Sequence, residues 1–165
     1  MAKLGLTDLL AQNKTIQNWL GQVETGRQLV MGLSASSKAL AIATAFQYHQ
    51  GKMVIVTSTQ NEAEQLISDL SALLDEKYIY SFFADDVAAA EFIFSSLDRT
   101  LSRLESLNFL QNETSTGILV TSIIGTKILL PNPKAYRRAQ IKLSIGVDKE
   151  IDNLVKNLSQ MGYER

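Results

Sequence analysis

Residues 29–46 read Leu29-Val-Met-Gly32-Leu-Ser-Ala-Ser-Ser37-Lys38-Ala39-Leu-Ala-Ile-Ala-Thr-Ala-Phe46. A short apolar run passes through a Gly/Ser bend into a strongly helix-favouring stretch. Strand, loop, helix is the order a phosphate-binding loop requires, and Gly32 and Lys38 stand at the spacing of its first glycine and its lysine. Two working positions are replaced: Ser37 occupies the second glycine and Ala39 the metal-ligating hydroxyl.

In an intact loop the backbone amides curl around the phosphates, the lysine reaches the terminal ones and the hydroxyl ligates magnesium. Ala39 cannot ligate a metal. Ser37 carries a β-carbon where glycine permits a positive φ and a close backbone approach. Lys38 still offers a point charge, and a helix start favours an anion. Gly32, Ser37 and Lys38 are therefore candidate phosphate-contacting residues of a vestigial site, with no catalytic and no metal-ligating residue assigned. The alternative is a plain strand-to-helix turn capped by serines.

Working outward, apolar strand candidates alternate with helical patterns, the mark of crossover units and a parallel sheet. Leu29–Met31, Met53–Val56, Tyr78–Phe82 and Ile118–Val120 are the candidate strands. Helices are expected at about 36–49, 61–74 and 97–111, with a shorter one near Val87–Phe94. Right-handed crossovers turn this into a layered α/β domain. Thr57-Ser-Thr-Gln-Asn leads as a cap into Glu62 and a stripe of Ala63, Leu66, Ile67, Leu70, Leu73 and Leu74. Leu97, Leu101, Leu104, Leu107 and Leu110 read as a second packing stripe. Leu6–Leu20 reads as one or two helices with Trp19 as a core plug.

After Leu130 the character changes. Pro131-Asn-Pro is a turn, Ile141-Lys-Leu-Ser-Ile alternates like a half-exposed strand, and 148–161 place Ile151, Leu154, Val155, Leu158 and Met161 on one helical face. One strand and one helix cannot close a core, so 1–135 is read as one domain and 136–165 as the start of a second, incomplete one.

Composition narrows the function. Sixteen basic residues against seventeen acidic ones leave a net charge of -1, without a basic footprint for nucleic acid. The chain has no cysteine, which removes disulfides and thiolate sites. The single histidine, His49, sits where a helix should end and reads as a capping residue. Neither a signal peptide nor an apolar run of membrane-spanning length is recognisable, so a cytoplasmic location without membrane contact is expected. Asp75-Glu76 imitates a magnesium-strand ending but closes a helix instead. Asp85-Asp86 follows a candidate strand, where ligands sit in open sheets, and also suits a loop cap. Lys134, Arg137 and Arg138 form a small basic cluster read as a solvated linker.

Gly32–Leu40, Val54-Ile-Val-Thr-Ser, Ala89-Ala-Glu-Phe, the Arg103-Leu-Glu-Ser-Leu-Asn-Phe-Leu helix, Ile118-Leu-Val-Thr-Ser through Leu129-Leu-Pro and Met161-Gly-Tyr-Glu-Arg together resemble the N-terminus of bacterial transcription-repair coupling factors, the Mfd family. The likeness runs in order over nearly the whole chain and extends loosely to the first domain of the excision-repair helicase UvrB. The resemblance implies an ATP-driven DNA translocase that displaces stalled RNA polymerase and recruits UvrA. It places this chain in the UvrB-homology module: a degenerate RecA-like, three-layer P-loop-type domain without ATPase function, then the start of the UvrA-contacting domain. ATP, magnesium and DNA would serve motor domains beyond residue 165, and no cofactor is expected here. No aromatic-tipped insertion lies between Asp86 and Ser96, which argues against UvrB-like strand clamping. The competing readings are a small phosphotransferase using Lys38 with Asp85 or Asp86 and magnesium, and UvrB itself.

Overall fold

The computed structural model describes residues 6–23, 26–84, 96–141, 143, 145–146, 150–161 and 163. Two compact units are present, Met1–Ile128 and Leu129–Arg165.

In the first unit, helices α1 (Leu6–Ala11) and α2 (Lys14–Leu20) precede α3 (Ala35–His49), and then strands alternate with helices: β1 (Lys52–Thr57), α4 (Gln60–Ser71), β2 (Ile79–Phe82), α5 (Ser96–Gln111) and β3 (Gly117–Ser122). Three parallel strands form one sheet in the order β1-β3-β2. The expected α/β class with a parallel sheet flanked by helices is thus observed. β3 is last in sequence yet central, and every residue of Gly117–Ser122 is buried. A central strand of a parallel sheet is covered on both faces, which is why this one is continuously apolar to its Thr-Ser end.

Each face has its own core. On one, Ala39, Ala43 and Phe46 of α3 and Ala63 and Leu70 of α4 pack with Ile118 and Val120. Leu66, Ile67, Leu73 and Leu74 join it, as the α4 stripe requires. On the other, Phe109 of α5 packs with Phe82 and Leu119, and its ring stacks on Tyr80 at 4.3 Å between centroids. The N-cap of α4 also matches the pattern: Thr59 Oγ1 accepts from the Glu62 amide at 3.2 Å.

Four expectations are corrected. Leu29–Met31 forms no strand; Leu29 and Met31 are 84% and 79% exposed, and neither pairs with the sheet. Of the α5 stripe, Leu101, Leu104 and Leu110 are exposed and Leu107 is half-buried, while Ser106 and Phe109 are the buried residues of the helix's described side chains. Ser106 is tolerated there because its hydroxyl donates to the Ser81 carbonyl at 2.8 Å. In α2 the fully buried residue is Leu20, and Trp19 is only half-buried. The described residues of 141–145 form no strand. The expected helix near Val87–Phe94 lies outside the described residues.

The second unit contains α6 (Pro133–Arg138) and α7 (Ile151–Gln160). The basic cluster expected in a linker stands on α6, whose N-cap Asn132 accepts from the Lys134 amide at 2.9 Å. Leu154 and Leu158 of α7 are half-buried while Ile151 and Val155 are exposed, and no described residue of this unit is buried.

Candidate functional site: the Gly32–Ala39 corner

α3 begins at Ala35, so only Gly32, Leu33 and Ser34 separate it from the apolar run. Gly32 has φ +81°, a left-handed conformation that glycine adopts without cost. Ser34 is the extended N-cap residue, and its carbonyl receives two donors: the Lys38 amide at 3.0 Å and the Ser37 hydroxyl at 2.9 Å. The Ser34 and Ser37 hydroxyls lie 3.2 Å apart. Ser37 therefore closes the first helical turn on itself. Helical geometry at Ser37 needs no positive φ, which is why a serine fits where an intact loop carries glycine. α3 thus begins three residues after the apolar run, and the Lys38 amide is taken up by the Ser34 carbonyl.

The three candidate residues diverge in role. Gly32 is exposed in the turn, the Ser37 hydroxyl bonds back to the Ser34 carbonyl, and Lys38 is exposed on α3. On the first turn of α4, packed against α3, stands the exposed carboxylate of Glu62. The Ser58 hydroxyl, followed by the Ser58 and Thr59 amides and the Lys38 charge, holds the Glu62 carboxyl below the usual glutamate range. The Ser58 amide donates to Glu62 Oε2 at 3.2 Å. Sequence spacing marked Glu62 as a cap residue only; its nearness to Lys38 arises from the packing of α3 against α4.

Ala39, at the hydroxyl position, is fully buried in the α3–α4 core. The methyl group there serves packing and points to no solvent-accessible metal. No group of three or more His, Asp or Glu suited to a metal occurs among the described residues. Asp85 and Asp86 lie outside the described residues. Asp75 begins a short 3-10 turn and pairs with Lys77 at 3.4 Å, both largely exposed, which removes it from any strand end. His49 is the last residue of α3, and its Nε2 lies 3.0 Å from the Leu20 carbonyl oxygen, a contact that ties α2 to α3 and differs from the expected capping of its own helix end.

A separate groove of about 430 Å³ is lined by Glu76, Tyr80, Glu105, Asn108, Phe109 and Asn112 among others. It shares no residue with the corner, and its lining holds neither a nucleophile paired with a base nor a histidine.

A protein from a bovine strain of Staphylococcus aureus, named transcription-repair-coupling factor, is 27% identical to this chain over 163 residues, 97% of the chain. This chain is a relative of the transcription-repair-coupling factors. A second such factor, from Staphylococcus haemolyticus, is 29% identical over 137 residues, or 83% of the chain. The chain spans only 14% and 12% of the lengths of these two coupling factors. No family model and no solved structure matches it. No described helix is long and apolar enough to cross a membrane.

Proposed function

We propose that this chain is a non-catalytic module of a transcription-repair-coupling factor, built like the first domain of UvrB, which acts by docking other proteins and the rest of its own chain. In this reading the whole protein is an ATP-dependent DNA translocase that displaces stalled RNA polymerase and recruits UvrA. DNA, ATP and magnesium are handled by its motor domains. The observation that carries the non-catalytic part is Ala39: its methyl group is sealed in the core where a phosphate-transferring site needs an accessible hydroxyl. The three-residue loop supports it further.

Calorimetric titration of the chain with Mg-ATP tests the reading. No saturable heat at up to millimolar nucleotide is expected. Micromolar, magnesium-dependent binding abolished by Lys38→Ala would overturn it in favour of a small nucleotide-dependent phosphotransferase. Titration with purified UvrA tests docking, with weak binding expected from a second unit in which no described residue is buried.

A further inference from the structure

Ser81 and Phe83 give their carbonyls to α5: the Ser106 hydroxyl donates to the first at 2.8 Å and Arg103 Nε to the second at 2.9 Å. The Phe82 carbonyl between them turns the other way, to the Thr121 hydroxyl of β3. α5 therefore closes the outer side of β2 from Ser81 onward. Before Ser81 this cover stops, and the groove of about 430 Å³ opens between the start of β2 and the last turns of α5.

Polar side chains hold the groove open. Glu105, Asn108 and Asn112 line it at helical spacing, opposite Ile79 and Tyr80. Apolar residues at those positions would collapse onto Ile79 and Tyr80, whereas hydrated polar ones leave the space free. One end is fixed by hydrogen bonds: Asn112 Oδ1 accepts from the Thr114 amide at 3.2 Å, and the Ser115 hydroxyl lies 2.7 Å from the Phe109 carbonyl oxygen. Tyr80, half-buried and stacked on Phe109, supplies an aromatic wall.

Charge decides the occupant. Lys77 also lines the groove, but its ammonium lies 3.4 Å from Asp75 and 4.8 Å from the centre of the Tyr78 ring, and neither of those residues belongs to the lining. Glu76 and Glu105 remain, both exposed and neither paired with a cation among the described residues. Two carboxylates repel phosphate, which argues against nucleotides and nucleic acid, and they are too few for a metal centre. With only Ile79 and Tyr80 uncovered, the β2 edge is too short to take on a further strand. A guanidinium suits what is left, since it pairs with carboxylates through a planar fork and stacks on aromatic faces. We propose that this groove binds an arginine side chain presented by a basic segment of a partner protein, with the guanidinium against Glu105 and Glu76 and the stem along Tyr80. This inference specifies the docking part of the proposed function and rests on it.

Titration of the isotope-labelled chain with the peptide acetyl-Gly-Arg-Gly-Arg-Gly-amide, followed through backbone amide shifts, tests the groove. Saturable shifts concentrated on residues 76–80 and 105–115 are expected. Glu105→Gln should weaken binding about threefold, and Glu105→Gln with Glu76→Gln about tenfold. Glu113→Gln, which removes an exposed carboxylate outside the lining, should leave it unchanged. Equal weakening by Glu113→Gln, equal affinity for the matching lysine peptide or for argininamide alone, shifts spread beyond the groove, or no saturation would each overturn the proposal. The UvrA titration reads docking of the whole chain, so a groove that fails here is told apart from a chain that does not dock.

Discussion

Arg103 donates through both Nε and Nη2 to a single acceptor, the Phe83 carbonyl oxygen, at 2.9 and 2.8 Å. The guanidinium also lies 5.9 Å from the centre of the Phe82 ring. α5 is thereby fastened to the chain as it leaves β2, one turn from the buried Ser106–Ser81 bond. Charge-assisted bonds to a part-buried carbonyl are worth about 1.5–3 kcal/mol, so Arg103→Ala should lower unfolding free energy by about that much in a urea titration. Arg103→Lys should recover less than half, because an ammonium cannot place two fixed donors on one oxygen.

Gly125 follows β3 where the chain turns under β2. A β-carbon there would collide with Thr121 Oγ1 and stand 2.9 Å from the Phe82 carbonyl oxygen. Thr121 cannot yield freely, since its hydroxyl donates to that same carbonyl. Gly125→Ala should cost about 1–3 kcal/mol by overpacking, measured by thermal or denaturant unfolding. Adding Thr121→Ala should make the pair less costly than the sum of the two, because the removed hydroxyl opens the space.

Ala39→Thr restores the side chain of an intact phosphate loop. The added atoms enter a fully buried position beside Ala43 and Ala63. A loss of about 1–3 kcal/mol in stability is expected, with no gain in magnesium-dependent nucleotide binding by calorimetry.

The Glu62 carboxyl is held low in the folded chain, first of all by the Ser58 hydroxyl. A depressed carboxyl contributes stability that is present above the ordinary glutamate range, about pH 4.3, and is lost as pH falls toward the folded value. Glu62→Gln should therefore flatten the acid limb of a melting-temperature profile between about pH 5 and pH 3. A slope unchanged from the parent would show that Glu62 is not the titrating group.

Much of the architecture was legible in the residues. The capped amphipathic stripe of α4 and the apolar runs of β1, β2 and β3 announced their elements because side-chain periodicity is a local property. The α5 stripe misled, because leucine spacing reveals that a helix has an apolar side but not which side meets a sheet. Ser106 and Phe109 won that face through a hydrogen bond to Ser81 and a stacked ring on Tyr80. At the corner, the loss of the metal-ligating hydroxyl was evident from Ala39 alone. That its methyl is a core contact, and that Glu62 attends Lys38, depends on how closely α3 and α4 approach.

By itself the sequence determined that β1, β2 and β3 alternate with the helices α3, α4 and α5 and that no complete phosphate site is present, since each of these is written within a few neighbouring residues. Only the tertiary structure decided that β3 lies between β1 and β2, that Leu29–Met31 stands outside the sheet, and that one edge of β1 is open. Strand order and edge exposure arise from contacts between residues 39 to 65 positions apart, whose outcome is set by competition among faces and edges rather than by any local pattern.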